Sequence, residues 1–129
     1  MNEFHWLKKP EILAFHFLQL REHGGGFGIR DEGLLDSALA RPQNAYADGT
    51  KDIHMLAMLY CSGISRNHPF VDGNKRTAYV AMFTFLARHG YEFSGDLVDS
   101  ATQMLRFAAG DVSDAAMAQW LRENTAALK

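Results

Sequence analysis

The stretch HPFVDGNKRT, residues 68–77, is a short polar and turn-forming segment between two long apolar ones. Residues 53–64 before it are almost wholly apolar, and residues 78–87 after it contain a single polar residue, Thr84. An element that is hydrophobic all round has no face to offer to water, which is typical of a buried helix. Both segments are shorter than the about 20 apolar residues that cross a bilayer. The sequence therefore predicts two core helices joined by residues 68–77.

Proline and glycine set the facing ends of these two helices. Pro69 disfavours helical geometry at His68, so the first helix is predicted to end near Asn67 with the imidazole at its end. Gly73 has the backbone freedom to turn the chain into the second helix, which then begins at Asn74. The first backbone N–H groups of a helix have no partners within it and carry a partial positive charge. The start of the second helix is therefore a candidate anion site.

The side chains of this loop suit a phosphorylated ligand. Lys75 and Arg76 lie where the helix dipole disfavours a cation by roughly 0.3–1 kcal/mol each, and a bound anion would reverse that sign. Asp72 offers a hard oxygen ligand for Mg²⁺, which commonly bridges phosphate oxygens. His68 can accept a proton at neutral pH, as a hydroxyl that attacks a phosphate requires. The loop thus predicts a base, a metal ligand and a phosphate clamp.

Each of these residues also has a plainer structural interpretation. Taken singly, His68 is more often a helix cap than a base, Asp72 more often an N-cap than a metal ligand, and Lys75 and Arg76 more often solvated surface charges. Together these interpretations leave an uncompensated pair of cations at a helix start between core helices, so the set favours a functional site. A module that binds a nucleotide or phosphate without catalysis is the alternative from a different class of protein.

Residues 68–76, HPFVDGNKR, resemble the signature of the Fic/Doc family, and more narrowly of its Doc (death-on-curing) branch, the toxins of bacterial toxin–antitoxin pairs. A second Doc-like block, GIRDEGLLDSALARP at residues 28–42, lies upstream in the expected order. Fic proteins proper have a Gly where this chain has Lys75, and an Arg where it has Tyr79. The resemblance implies that the Lys fills space that pyrophosphate would need, so that the nucleotide binds reversed and presents its γ-phosphate.

The resemblance implies an all-α fold, with one compact Fic/Doc-type domain over residues 1–129 that forms a helical bundle around a buried central helix and has a short flap loop or hairpin. It also implies a toxin that transfers the γ-phosphate of ATP to a Ser or Thr hydroxyl of a target protein. The family's characterised target is translation elongation factor Tu, so this factor is the expected substrate and halted translation the expected effect. Transfer of AMP to a protein hydroxyl, as in Fic proteins proper, is the alternative.

The same resemblance assigns roles within the loop. His68 is the expected catalytic base, Asp72 the expected Mg²⁺ ligand, and Phe70 the expected anchor of the loop in the core. The residues expected to hold ATP are Gly73, Asn74, Lys75 and Arg76. The chain has no match to the inhibitory Ser/Thr-x-x-x-Glu-Gly/Asn helix of many Fic proteins, so restraint is expected from a separate, Phd-like antitoxin that folds on binding.

A polar stretch, QNAYADGT at residues 43–50, contains the tight-turn dipeptide Asp48-Gly49. In Fic/Doc relatives this position is expected to hold a flap that clamps the target segment by strand-like pairing. The resemblance therefore implies that Asn44, Tyr46 and Asp48 contact the protein substrate through added-strand hydrogen bonds. An ordinary surface loop is the alternative.

Composition limits the possible partners and compartment. The formal net charge is −2 and the pI about 6.3, which argues against DNA because duplex binding usually shows as a basic face. Cys61 is the one cysteine and lies in an apolar segment, where a buried small hydrophobe is expected rather than a nucleophile. The N-terminus, MNEFHW, has no signal-peptide pattern, so we expect a cytoplasmic protein without membrane attachment.

The remaining segments predict further helices. Pro10 suits the first turn of a helix over residues 11–23, whose apolar arc is broader than one core-facing stripe needs; the excess predicts either a docking surface or cover on both sides. GGGFG, residues 24–28, is predicted to cap this helix. Asp31 is predicted to cap a helix over residues 32–40 that Pro42 helps to end.

Shorter elements are predicted beyond the second core helix. Residues 91–93 read as an extended piece, and residues 96–109 as a helix that ends at Gly110. Ser113 is predicted to cap the last helix.

Overall fold

The computed structural model describes residues 4–128, which form six helices and one small antiparallel sheet. In chain order the elements are α1 (Lys9–His23), α2 (Glu32–Ala47), α3 (Ile53–Asn67), α4 (Asn74–Arg88), β1 (Tyr91–Phe93), α5 (Leu97–Ala108), α6 (Asp114–Glu123) and β2 (Thr125–Ala127). Residue 129 and residues 1–3, the first half of the N-terminal stretch MNEFHW, lie outside the described residues. The predicted all-α bundle is confirmed. Within residues 4–128, no helix has the length and apolar character needed to pass through a membrane.

The helices α3 and α4 form the centre of the bundle and make the most extensive contact between any two elements of the described chain. Their facing sides are fully buried, as predicted for core helices. The largest buried side chains of this pair are Leu56, Met58, Tyr60, Ile64, Met82, Phe85 and Leu86. Cys61 is also fully buried, and burial raises the pKa of its thiol to about 12, so the thiol packs as a small hydrophobe.

The helix α1 lies against α4 and buries one stripe of its surface. Ile12, His16 and Leu20, spaced four residues apart, are the buried members. Phe17 and Leu18, on the broad apolar arc noted above, remain about half exposed. The rest of the described chain therefore does not cover both sides of α1.

The helix α2 begins at its predicted cap, since the Asp31 carboxylate accepts a hydrogen bond from the N–H of Leu34 at 2.9 Å. Its predicted end is wrong, because the helix runs through Pro42 to Ala47. An interior Pro costs a helix about 3 kcal/mol through a lost hydrogen bond and a clash. Packing offsets this cost: Leu39 and Pro42 are buried on the face that packs against the core, and Tyr46 continues it.

The C-terminal third closes the bundle over α3 and α4. The predicted cap of α6 is confirmed, because the Ser113 hydroxyl accepts from the N–H of Ala116. Asp96, predicted as the first residue of α5, is its N-cap instead, and its carboxylate accepts from the N–H of Asp99. Residues 91–93 are extended as predicted, and they form β1, which pairs with β2. The sequence analysis did not predict β2, whose pairing partner lies more than thirty residues upstream.

Candidate active site

The motif loop, residues 68–73, joins the end of α3 to the start of α4. His68 caps α3 in the left-handed conformation (φ 49°, ψ 56°), and its N–H still donates to the carbonyl of Ile64 at 3.2 Å. Gly73, with φ 76°, is the N-cap of α4 and adopts this geometry without a Cβ penalty. Both predicted helix boundaries, at Asn67 and Asn74, are confirmed.

Phe70 and Asn74 fix the middle of the motif loop. Phe70 is 1% exposed, which confirms its predicted role as an anchor in the core. The side-chain amide of Asn74 is buried and spans the loop, because its Oδ1 accepts from the N–H of Phe70 at 2.9 Å and its Nδ2 donates to the carbonyl of Phe70 at 3.0 Å. The Asn74 side chain is thus occupied by the loop itself, and what it can offer a ligand is its backbone N–H.

The Gly-rich segment, residues 24–30, runs beside the motif loop and pairs with it in an antiparallel manner. The N–H groups of Arg30 and Asp31 both donate to the carbonyl of Pro69, at 2.7 and 3.0 Å, and the N–H of Val71 donates to the carbonyl of Gly28 at 3.0 Å. Gly24, with φ 77°, caps α1 as predicted, and its N–H donates to Leu20.

The guanidinium group of Arg30 holds the backbone of the residue expected to be the base. Its Nε donates to the carbonyl of His68 at 2.7 Å, and its Nη2 donates to the carbonyl of Asn67 at 2.9 Å. These carbonyls belong to the end of α3, where helical carbonyls lack partners and a cation is favourable. Arg30 therefore stabilises the left-handed turn that presents the His68 side chain.

The Asp72 carboxylate lies at the edge of the loop between two glycines. Its Oδ1 accepts from the N–H of Gly73 at 2.8 Å. Its Oδ2 lies so close to the Gly-rich segment that a Cβ added to Gly25 would stand 2.7 Å from it. The backbone carbonyl of Asp72 accepts from the Nε2 of His16, on α1, at 2.8 Å.

A cavity of about 430 Å³ opens in front of the motif loop and the start of α4. It is lined by His68, Val71, Asp72, Gly73, Asn74, Lys75, Arg76 and Leu105. Within residues 4–128, no carboxylate pairs with Lys75 or Arg76, and no acceptor is bonded to the N–H groups of residues 74–76. The cavity thus combines an imidazole and a carboxylate with a strongly positive helix start, which can hold an anionic group of phosphate size.

A second, largely apolar cavity of about 390 Å³ adjoins the first. Lys75, Arg76 and Leu105 line both cavities. The second continues between α1, α4 and α5, with Tyr79 and Leu97 among its walls. The Tyr79 hydroxyl, in the position where Fic proteins proper have an Arg, is hydrogen-bonded to the buried Ser100 hydroxyl of α5.

The loop residues predicted from the sequence come together, but the predicted flap does not join them. Asn44 and Tyr46 lie in the last turns of α2, and Asp48 is the C-cap of that helix, so residues 43–47 are helical rather than a polar loop. The Tyr46 ring packs against Phe4, at 4.5 Å between centroids, and Asn44 lines a different cavity. Asp48 and Gly49 form a turn, as predicted, but this turn ends the helix α2.

Sequence reasoning did not single out three residues that shape this site. Gly25 allows the close approach of the Asp72 carboxylate, Arg30 holds the carbonyl of His68, and His16 holds the carbonyl of Asp72. One signal was available for His16, since it lies in the same i, i+4 stripe as Ile12 and Leu20. A polar side chain in a buried stripe needs a polar partner.

Comparison with known proteins gives the same family over most of the chain. A model of the Fic/DOC family matches residues 6–86, which include the Gly-rich segment and the motif loop. A protein named Toxin Doc, from Mycolicibacterium smegmatis, is 40% identical over 89 residues, covering 67% of this chain and 68% of its own length. A protein named Protein kinase doc, from Escherichia phage P1, is 32% identical over 118 residues, covering 90% and 92% respectively.

Proposed function

The chain belongs to the Fic/DOC family, and from this premise we propose that it is a Doc-type toxin that transfers the γ-phosphate of ATP to a Ser or Thr hydroxyl of a target protein. The names of the two relatives support a toxin and a kinase-type activity. The observation that carries the proposal is the single cavity that contains His68, Asp72, Lys75, Arg76 and the free start of α4.

The reaction needs one proton acceptor and one clamp for negative charge. The target hydroxyl oxygen forms a bond to the γ-phosphorus while the bridging bond to the β-phosphate oxygen breaks, and ADP leaves. The hydroxyl proton passes to the imidazole of His68, which lines the cavity. Lys75, Arg76 and the N–H groups of residues 74–76 hold the phosphate oxygens, which is where phosphoryl transfer most needs electrostatic support.

Asp72 is the residue that would hold Mg²⁺. Mg²⁺ is usually bound to proteins through one or two carboxylates together with substrate phosphates and water. Asp72 fits this pattern as a carboxylate in the cavity lining, with one oxygen already oriented by the N–H of Gly73. When bound, the ion would neutralise charge on the phosphates.

The side chain at position 75 supports transfer of the γ-phosphate rather than of AMP. Lys75 stands where Fic proteins proper have a Gly, and its side chain lines the cavity beside Arg76. AMP transfer requires room for a departing pyrophosphate beside the α-phosphate. A long cationic side chain reduces that room and instead favours a terminal phosphate beside the base.

The target is expected to be translation elongation factor Tu, as the family resemblance implies, and the Gly-rich segment is our candidate for the clamp. This segment already forms strand-like pairs with the motif loop. Phe27 is 67% exposed, and Val71, which lines the cavity together with His68, is 56% exposed, so the segment and the loop both offer apolar side chains to a bound peptide. A Phe27→Ser variant that phosphorylates its target at the unaltered rate would refute this placement.

A Phd-like antitoxin is the proposed partner, and the apolar cavity beside the phosphate site is its candidate docking place. Leu97 and Leu105 of α5 are 74% and 61% exposed there, which suits the apolar face of a helix that folds on binding. An occupant would also contact Lys75 and Arg76, which line both cavities.

Partner and target would both place the protein in the cytoplasm. Normal growth of cells that express the active chain alone, with the target present, would contradict this role.

Radiolabelled ATP tests the reaction directly. The protein is incubated with a bacterial extract and Mg²⁺, once with ATP labelled at the γ-phosphate and once with ATP labelled at the α-phosphate. We expect protein-bound label from the γ-position alone, on a band that mass spectrometry identifies as elongation factor Tu. Label from the α-position would replace phosphoryl transfer by AMP transfer. ATP binding without label on any protein would indicate a binding module.

A further inference from the structure

The buried imidazole of His16, on α1, contacts the motif loop. His16 on α1 is 5% exposed, and its ring lies parallel to that of Phe70, at 3.8 Å between centroids and 9° between planes. Its Nε2 lies 2.8 Å from the backbone carbonyl oxygen of Asp72. A carbonyl oxygen can only accept, so Nε2 carries the proton and donates it.

We propose that His16 is a positioning residue for the Asp72 carboxylate, an inference that rests on the proposed function. A trans peptide unit is planar, and its C=O and N–H groups point in opposite directions. The hydrogen bond from His16 holds the carbonyl of Asp72 towards α1. The N–H of the same peptide unit, which belongs to Gly73, is thereby directed away from α1, where it donates to the Oδ1 of Asp72 at 2.8 Å.

His16 also lies beside Gly73, the N-cap of α4. A Cβ added to Gly73 would stand 3.7 Å from the Cδ2 of His16 and 3.8 Å from its Nε2, which is ordinary van der Waals contact. The imidazole thus stacks on the Phe70 ring and lies near the N-cap of α4. One side chain of α1 therefore sets both the orientation of the carboxylate and the position of the helix start that faces the phosphates.

The two properties of His16 can be separated by substitution. His16→Phe keeps a flat ring against Phe70 but has no donor for the carbonyl of Asp72. His16→Gln keeps an amide donor at a similar distance from the backbone but lacks the ring. If His16 were merely a packing residue, His16→Phe would be the milder change. If it positions Asp72, His16→Gln retains more of the metal-dependent function.

Calorimetry of ADP binding, with and without Mg²⁺, measures this directly on the full chain. The ratio of the two dissociation constants is the Mg²⁺-dependent gain in ADP affinity, which depends on how well Asp72 holds the metal. We expect His16→Phe to weaken the Mg²⁺-dependent gain by about 10- to 100-fold, as substitutions behind a metal ligand typically do, and His16→Gln to restore most of it. The Mg²⁺ concentration that gives half-maximal phosphoryl transfer should rise in parallel. His5→Phe, at an exposed histidine that lines neither cavity of the site, is the matched control and should resemble the wild type.

Two failures are distinguishable. If the wild type transfers phosphate and His16→Phe shows the wild-type Mg²⁺ dependence in both assays, the positioning role is wrong while the proposed function stands. If the wild type itself transfers no phosphate and shows no Mg²⁺-dependent gain in ADP binding, the proposed function is wrong and the inference falls with it. Thermal unfolding of each variant shows whether a loss comes from a failure to fold. If His16→Phe does not fold, His16→Gln decides: a retained Mg²⁺-dependent gain in ADP binding supports the positioning role, and a lost gain overturns it.

Discussion

At the scale of single residues, the site depends on a close approach between a carboxylate and a glycine. The Oδ2 of Asp72 stands where a Cβ on Gly25 would come within 2.7 Å of it. Gly25 also has φ 125°, a conformation that side chains rarely adopt. Gly24 shares the positive φ, at 77°, but a Cβ there would meet nothing within 4 Å. A side chain at either position would be strained by the positive φ, but only at Gly25 would it also press on the Asp72 carboxylate and, at 3.0 Å, on the Cδ2 of Leu20.

This difference predicts unequal effects of the same substitution. Gly25→Ala should displace the Asp72 carboxylate and lower the rate of phosphoryl transfer on the order of 10- to 100-fold, as small misplacements of catalytic groups do. Gly24→Ala should lose stability through its positive φ alone and keep most of the activity. Initial rates, taken well below the unfolding midpoint of both variants, provide the comparison. Equal rates in the two variants would mean that this carboxylate position is unimportant.

The residues of the motif loop could be predicted because they are adjacent in sequence. His68, Asp72, Lys75 and Arg76 reach one cavity through a single turn whose ends are set by Pro69 and Gly73. The partners that orient them could not be predicted in the same way. His16 and Arg30 come from 56 and 38 residues away in sequence, and their contacts depend on how α1 and the Gly-rich segment pack.

At the scale of elements, the packing of α2 against α3 explains why the end of α2 lies seven residues beyond the predicted Ala40. Local rules end a helix at Pro42, but the buried stripe of α2 continues past it. The contact with α3 is close: a Cβ added to Gly63 would stand 3.1 Å from the Cα and carbonyl oxygen of Ala38. Tertiary packing thus outweighs local propensity, and the polar stretch that suggested a flap becomes the end of a helix.

A pair of helical glycines tests the close packing of α2 against α3. Gly63→Ala should push the backbones of α2 and α3 apart, at a cost of about 1–3 kcal/mol. The higher helix propensity of Ala offsets part of this cost. Gly33→Ala, on the exposed start of α2, meets only the Asp31 carboxylate at 3.4 Å and should be neutral or slightly stabilising. Chemical denaturation of both variants gives the two free energies of unfolding. A Gly63→Ala variant as stable as Gly33→Ala would show that the two helices can move apart freely.

At the scale of the whole molecule, two histidines connect parts of the chain that are distant in sequence. His54, at the start of α3, donates from Nε2 to the Thr125 hydroxyl of β2 at 2.8 Å, since that hydroxyl itself donates to Leu121. His89, after α4, accepts at Nε2 from the N–H of His5 at 2.9 Å and lies with Nδ1 2.7 Å from the carbonyl of Phe85. Neither connection could be predicted from local sequence, because both depend on the closed bundle.

These histidines predict a loss of stability in mild acid. Burial lowers the pKa of His54 and of His89 below the ordinary 6.5, despite the Asp52 carboxylate near His54 and the Phe85 carbonyl near His89. Between the folded and unfolded pKa values, the unfolded chain binds more protons, so stability is fully present above about pH 6.5 and is lost as the pH falls through the folded values. The thermal midpoint should therefore be lower at about pH 5.5 than at about pH 7.5.

A double variant, His54→Gln with His89→Gln, provides the control for this acid response. It should be less stable at neutral pH, because contacts are lost, but its midpoint should change less between the two pH values. The pKa values of the Glu11 and Asp52 carboxylates are lowered below 4.5 and 3.8, so these groups respond only under more acidic conditions. A midpoint that falls as steeply in the double variant as in the wild type would assign the acid response to other groups.

The central claim is that the imidazole of His68 takes the proton of the target hydroxyl at a phosphate-binding helix start, and the most direct measurement is the transfer rate of a His68→Asn variant with γ-labelled ATP. Asn tolerates the left-handed backbone at this position better than Ala, so the turn is retained while the base is lost. The account predicts a fall in rate of about 10²- to 10⁴-fold with thermal stability and ADP binding unchanged. A His68→Asn variant that transfers phosphate at the wild-type rate would contradict it.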